Sequence, residues 1–269
     1  MMRTILLLLI AAIGAGCAQD TQRQPERSIP STVEAARPDM VQRLEATHKL
    51  SEFTSHPAVQ FDLVLNFGGK ERFNGKVSMT TNSSAVRLDD QAGNTVLFDG
   101  KEVYFQSPDS SVSPRKARFD VFTWSYFFAM PYKLSDPGTN WENLADDSIM
   151  GEPVQVGKLT FGENVGDAPD DWYRIFEDPS TNLMKAAAYI VTFGGNQEEA
   201  EADPHAISYD AYQEVDGIPL AHEWAFWSWR AGEGLTEQLG DAKLSNFQFF
   251  EPEATFFQAQ AGMTEAPAP

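Results

Sequence analysis

Residues 113–130, SPRKARFDVFTWSYFFAM, set the tightest limit on what this chain can fold into. The segment opens as a helix should. Ser113 can cap the first turn, and Pro114 suits the first helical position, where its missing N–H is not needed. Val121, Trp124 and Phe128 then fall on one stripe at i, i+3 and i+7, while Phe119, Phe122, Tyr126 and Met130 form a second. Pro131 ends the run. A helix with two apolar stripes has to be covered on both sides, and this one is shorter than the ~20 residues of a membrane span. The rest of the chain therefore has to wrap around it.

The flanking sequence supplies the wrapping. Residues 58–67, AVQFDLVLNF, alternate so that Val59, Phe61, Leu63, Leu65 and Phe67 share one face. Similar short alternating runs recur up to residue 106 and resume from residue 153, separated by turn signals such as Gly68-Gly69, Asn74-Gly75 and Asp99-Gly100. Asp136-Pro137-Gly138 has the residue order of a type II turn. The polar stretch 194–204 reads as a hairpin tip. Ahead of the strands, Pro38 and the spacing of Val41, Leu44 and His48 predict a helix over residues 39–53. The expected fold is mostly β (α+β): a single curled antiparallel sheet, or incomplete barrel, of about ten or eleven strands. An N-terminal helix and an inserted apolar lid helix complete it. The expected domain spans residues 38–252, with 253–269 as a tail.

The N-terminus carries an export signal rather than structure. MMRTILLLLIAAIGAG has a basic start, an apolar run and small residues before Cys17, the single cysteine of the chain. This resembles the bacterial lipoprotein signal, with Gly14 where that family usually has Leu. The resemblance implies a signal peptide over residues 1–16 and a lipidated Cys17. Ala18, following the cysteine, implies the outer membrane, facing the periplasm. Residues 17–37 lack apolar periodicity and read as a tether with a reach of roughly 25 Å. A net charge of -19 excludes nucleic acid as a natural partner and argues against docking on anionic lipid by charge.

Two further segments carry a family resemblance. DWYRIFEDPSTNLMKAAAYIV, with Asp178 and Thr181 at an Asp-x-x-Thr turn, is similar to the LolA/LolB lipoprotein-carrier superfamily. FFAMPYKLSDPGTNW resembles a family of bacterial envelope proteins with a Pro-x-Lys-Leu-x-Asp-Pro-Gly element, here Pro131, Lys133, Leu134, Asp136, Pro137 and Gly138. Both imply an open antiparallel barrel lidded by helices, and a place in the cell envelope. The loop tips TTNSSA and DDQAGNT are polar where LolB carries an exposed apolar residue, so the resemblance does not extend to delivery of lipoproteins to a membrane.

No catalytic motif is visible, and no cofactor or metal set is expected. The four histidines, His48, His56, His205 and His222, have no metal-binding spacing, and structural roles are expected for them. Asp167, Asp170 and Asp171 lack the spacing of a calcium loop and read as a solvated turn. The aromatic residues carry the strongest remaining signal. In HEWAFWSWR, Trp224 and Phe226 point one way, Trp227 and Trp229 the other, so either both faces are covered or one lines a cavity. The expected function is binding of a lipid or acyl chain against Trp124, Phe127, Phe128, Met130, Trp224, Phe226 and Trp227. A protein-interaction module without a cavity is the alternative; a carboxylate-using hydrolase is a more distant one.

Overall fold

In the computed structural model, which describes residues 38–163 and 165–268, the alternating runs form one long antiparallel sheet. The signal segment, Cys17 and the tether lie outside the described residues. Five strands precede the apolar helix: β1 Ala58–Phe67, β2 Lys70–Thr80, β3 Val86–Asp90, β4 Thr95–Phe98 and β5 Val103–Gln106. Nine follow it: β6 Thr139–Asn143, β7 Asp147–Ile149, β8 Glu152–Phe161, β9 Tyr173–Glu177, β10 Met184–Tyr189, β11 His205–Val215, β12 Ile218–Arg230, β13 Gly234–Phe250 and β14 Thr264–Ala266. Their order is β14-β5-β4-β3-β2-β1-β13-β12-β11-β10-β9-β8-β6, with β7 also pairing β8. The two end strands, β14 and β6, do not pair, so the sheet is curled but open.

Strands β6, β7 and β14 raise the count to fourteen among the described residues. All three are short, at five, three and three residues. The segment expected as a tail thus contributes β14, which pairs with β5 at Thr264–Phe105 and Ala266–Val103.

Helices α1 Asp39–Thr47 and α2 Leu50–Ser55 replace the single expected helix, because Lys49 between them takes a left-handed conformation at φ 60°. Arg43 of α1 reaches β9, donating to both carboxylate oxygens of Glu177 at 3.1 and 2.7 Å. Glu177 is fully buried, so this fork supplies the counter-charge that a carboxylate needs away from water. The apolar helix, α3, runs over Pro114–Ala129, and a 3₁₀ turn at Met130–Tyr132 continues it. The Ser113 hydroxyl accepts from the Lys116 N–H, capping it as the sequence implies. A short acidic helix, α4 Gln197–Ala202, occupies the tip of the β10–β11 hairpin, with Asn196 as its cap.

Both arms of the sheet reach α3. Phe61 of β1 packs on Phe128 at 4.4 Å, and Phe98 of β4 meets Phe122 at 5.0 Å. From the other arm, Tyr189 of β10 packs on Phe127 at 4.9 Å and Phe226 of β12 on Trp124 at 6.3 Å. Bulges in β1, β12 and their partners increase the local twist that such curling needs. Two glycines permit close strand approach. A Cβ at Gly75 would lie 2.2 Å from the Asp89 carbonyl oxygen, and one at Gly240 would lie 2.2 Å from that of Asn66.

The reverse face of the sheet has its own small core. Ile149, Val154, Phe176 and Trp229 are buried there, with Trp172 and Trp227 packed against them. Both faces of β12 are therefore covered, which accounts for its aromatic residues on both sides.

Candidate ligand-binding cleft

The two stripes of α3 meet different fates. Val121, Trp124 and Phe128 are buried in the main core. Phe119, Phe122 and Tyr126, expected to be covered as well, are only half-buried. They roof a cleft of about 560 Å³, within the size range of small-molecule sites. Its opposite wall is built from Phe161 of β8, Tyr173 of β9 and Tyr189 of β10, and its near wall from Val86 and Phe98. Pro137, in the turn after the 3₁₀ segment, closes one end. That turn forms as its residues imply: Thr139 N–H donates to the Asp136 carbonyl at 3.1 Å, and Gly138 takes φ 90°.

Polar groups at the rim are largely paired. Arg118 forks onto Asp167 at 2.7 and 2.9 Å and also donates to the Ala266 carbonyl at 2.9 Å, tying α3 to the loop before β9 and to β14. Lys133 pairs with Asp136, and Lys101 is exposed at the rim. Asp171 accepts from the backbone N–H and hydroxyl of Thr192, at 2.7 and 2.8 Å, through one carboxylate oxygen. Burial raises its carboxyl above the usual range, against the opposing effect of those two bonds. The "solvated turn" reading thus fails for Asp167 and Asp171, because both carboxylates are engaged by specific partners. The Asp178 carboxylate, at the Asp-x-x-Thr turn, accepts from the Ser180 N–H and hydroxyl at 2.8 and 2.7 Å.

The tyrosines divide into two kinds. Tyr209 donates to the Phe127 carbonyl at 2.9 Å and Tyr212 to that of Met184 at 2.7 Å. Tyr126, Tyr173 and Tyr189 line the cleft; their hydroxyls make no hydrogen bond among the described residues and are not fully buried. Desolvation holds all three above the ordinary phenol range, so they are neutral donors.

Of the seven residues singled out from the sequence, Phe127 lines this cleft. Trp124, Phe128, Met130, Trp224 and Phe226 pack within the main core, and Trp227 lies on the reverse face. Phe128 and Trp224 also border a void of about 10 Å³, no larger than one water. The wall residues went unremarked in the sequence, although Tyr189, Val191 and Phe193 recur at every second position. Among the histidines, His48 is buried and accepts from the Met184 N–H at 3.1 Å, and His56 stacks on Phe249 at 4.1 Å. Among the described residues no helix is long and apolar enough to cross a membrane.

In fold, the chain is similar to a LolA superfamily protein from Nitrosomonas europaea. The two share 11% identity with a TM-score of 0.52, over 80% of this chain and 97% of that one. It is also similar to a DUF1329 family protein from Desulfovibrio piger, at 13% identity and a TM-score of 0.51, over 82% of this chain and 98% of that one. At such identities the likeness is one of architecture, and it agrees with the open, helix-lidded sheet. No curated protein matches the sequence. Residues 76–213, which run from β2 through α3 and both walls of the cleft into β11, match the model of a family of unknown function, DUF6503, and the chain belongs to that family.

Proposed function

We propose that the protein is a lipid-anchored cell-envelope protein that holds a hydrophobic ligand, a lipid or single acyl chain, in the cleft beneath α3. The observation that carries this reading is the half-buried aromatic stripe of Phe119, Phe122 and Tyr126 over a cleft of about 560 Å³. Apolar surface left uncovered by the protein's own side chains is stabilised when a ligand covers it. Each methylene moved from water contributes about 0.8 kcal/mol before ordering costs. The reading assigns no catalytic step. A protein-docking role draws less support, since among the described residues the exposed large apolar side chains are Val64, Met150 and Val191, far apart in the sequence and on different segments.

The test is lipid extraction of the full chain followed by mass spectrometry, with Thr123→Trp as the control. Thr123 lines the cleft, so an indole there fills the space a ligand needs. The wild-type chain should carry acyl lipid, and the variant should lose about tenfold in affinity while keeping a melting transition close to wild type. A wild-type chain free of lipid that also fails to bind added acyl chains would remove the proposal.

The anchor is assigned to Cys17 and the compartment to the outer membrane, on the sequence signal alone. Cells fed a labelled fatty acid should incorporate it into the wild-type chain and not into Cys17→Ser, and the labelled protein should fractionate with the outer membrane. Label retained in the variant refutes the anchor.

A further inference from the structure

The floor of the cleft is not purely apolar. Tyr173 and Tyr189 are only 8% and 5% exposed and line the cleft; their hydroxyls make no hydrogen bond among the described residues, and neither is a fully buried atom, so both stay open to a bound molecule. The Tyr126 hydroxyl joins them from α3, its ring 5.3 Å from that of Tyr173. Tyr209 and Tyr212 of the same core, by contrast, spend their hydroxyls on backbone carbonyls. Beside the three donors stands one acceptor. Asp171 uses Oδ1 for both bonds from Thr192, which leaves Oδ2 without a partner among the described residues. Of the three cations that line the cleft, Arg118 pairs with Asp167 and Lys133 with Asp136, while Lys101 is exposed at the rim.

Taking the cleft as an acyl-chain site, we propose that this floor selects an uncharged oxygen-bearing amphiphile, an acyl ester of glycerol or a similar alcohol, over a free fatty acid. An ester carbonyl accepts from the tyrosine hydroxyls, and a glycerol hydroxyl donates to Asp171. A carboxylate would meet the Asp171 carboxyl at close range, and the one cleft-lining cation without an ion pair among the described residues, Lys101, stands at the exposed rim. The aromatic stripe of α3 then covers the chain.

Titration of the full chain in amphipol with monolaurin and with laurate, followed by calorimetry, tests the selection. Both carry the same acyl chain, so the difference reads the polar group. Monolaurin should bind about tenfold tighter than ionised laurate. Asp171→Asn can still accept from Thr192 but removes the charge that meets laurate, so it should lose most of that preference by strengthening laurate binding, whereas Tyr173→Phe/Tyr189→Phe keeps both rings and should weaken both probes. Laurate binding as tightly as monolaurin, or an Asp171→Asn variant that keeps the preference, would overturn the selection while leaving the acyl site standing. Binding of neither probe to the wild-type chain would overturn both. If water alone satisfies the hydroxyls, the two tyrosine substitutions will be silent, which also counts against the proposal.

Discussion

Replacing Trp124 by alanine is expected to lower the unfolding free energy by about 3–5 kcal/mol, and replacing it by aspartate by more. Trp124 is 6% exposed, at the centre of the buried stripe of α3. Its ring meets Phe119 at 5.9 Å, Phe127 at 6.3 Å and Phe226 at 6.3 Å, so it joins the helix to the sheet. Alanine leaves a cavity that these rings fill only in part. Aspartate adds a group that has to bury a charge or take up a proton. Small domains hold only about 5–15 kcal/mol in total, so either change removes a large share of it. Urea unfolding of the full chain reads the effect directly. A loss below about 1 kcal/mol for Trp124→Ala would mean that α3 is not clasped by the sheet as described.

The second large effect is expected from pH and centres on His48. Its ring is 1% exposed, accepts from the Met184 N–H and packs edge-on to Tyr132 and Tyr212 at 6.1 and 5.6 Å. Desolvation holds its pKa down to about 3, from 6.5, outweighing the opposing effect of its hydrogen bond with the backbone of Pro219. The folded state therefore keeps this imidazole neutral while the unfolded chain protonates it below pH 6.5. The unfolded state binds the extra proton, so stability falls as pH falls, by about 1.4 kcal/mol per pH unit at most, until the folded pKa is reached. Between the unfolded pKa and two units below it the loss attributable to His48 is roughly 2–3 kcal/mol. Asp120 and Asp171 act in the opposite sense near the carboxylate range, since desolvation raises their folded pKa and the folded state then holds the extra proton. The difference between wild type and His48→Gln isolates the histidine. Glutamine does not titrate and can still accept from Met184. Wild-type stability should fall toward that of the variant on acidification. A difference that stays constant from neutral to acidic pH would show that His48 is not buried neutral.

Much of the architecture was legible in the chain before any fold was known. The period-2 runs from Ala58 onward correspond to strands, the Ser113-Pro114 start and Pro131 stop bracket α3, and the Asp136-Pro137-Gly138 turn forms with the expected bond. These features depend on neighbours a few residues away, through alternation, capping and the fixed φ of proline. The two apolar stripes also announced that the sheet would pack around α3, although it fully covers only the stripe of Val121, Trp124 and Phe128. The break at Lys49 and the strands β6, β7 and β14 carry no comparable local pattern. Lys49 adopts φ 60° although it is not glycine, and the short strands are strands only because β8 and β5 lie beside them.

The cleft belonged wholly to tertiary structure. Helical spacing shows that Phe119, Phe122 and Tyr126 share a stripe, but not that the sheet stops short of covering it. That depends on the pairing of β1 with β13, residues nearly two hundred positions apart such as Val59 and Phe249, which sets how the two arms close around α3. Trp224 and Phe226 were conspicuous in the sequence because they are large, yet they fill the core. Tyr173 and Tyr189 were inconspicuous, and the fold sets them along the cleft. Size and periodicity are written locally along the chain, whereas space and unmet hydrogen bonds are properties of distant segments brought together, and only the folded molecule decides them.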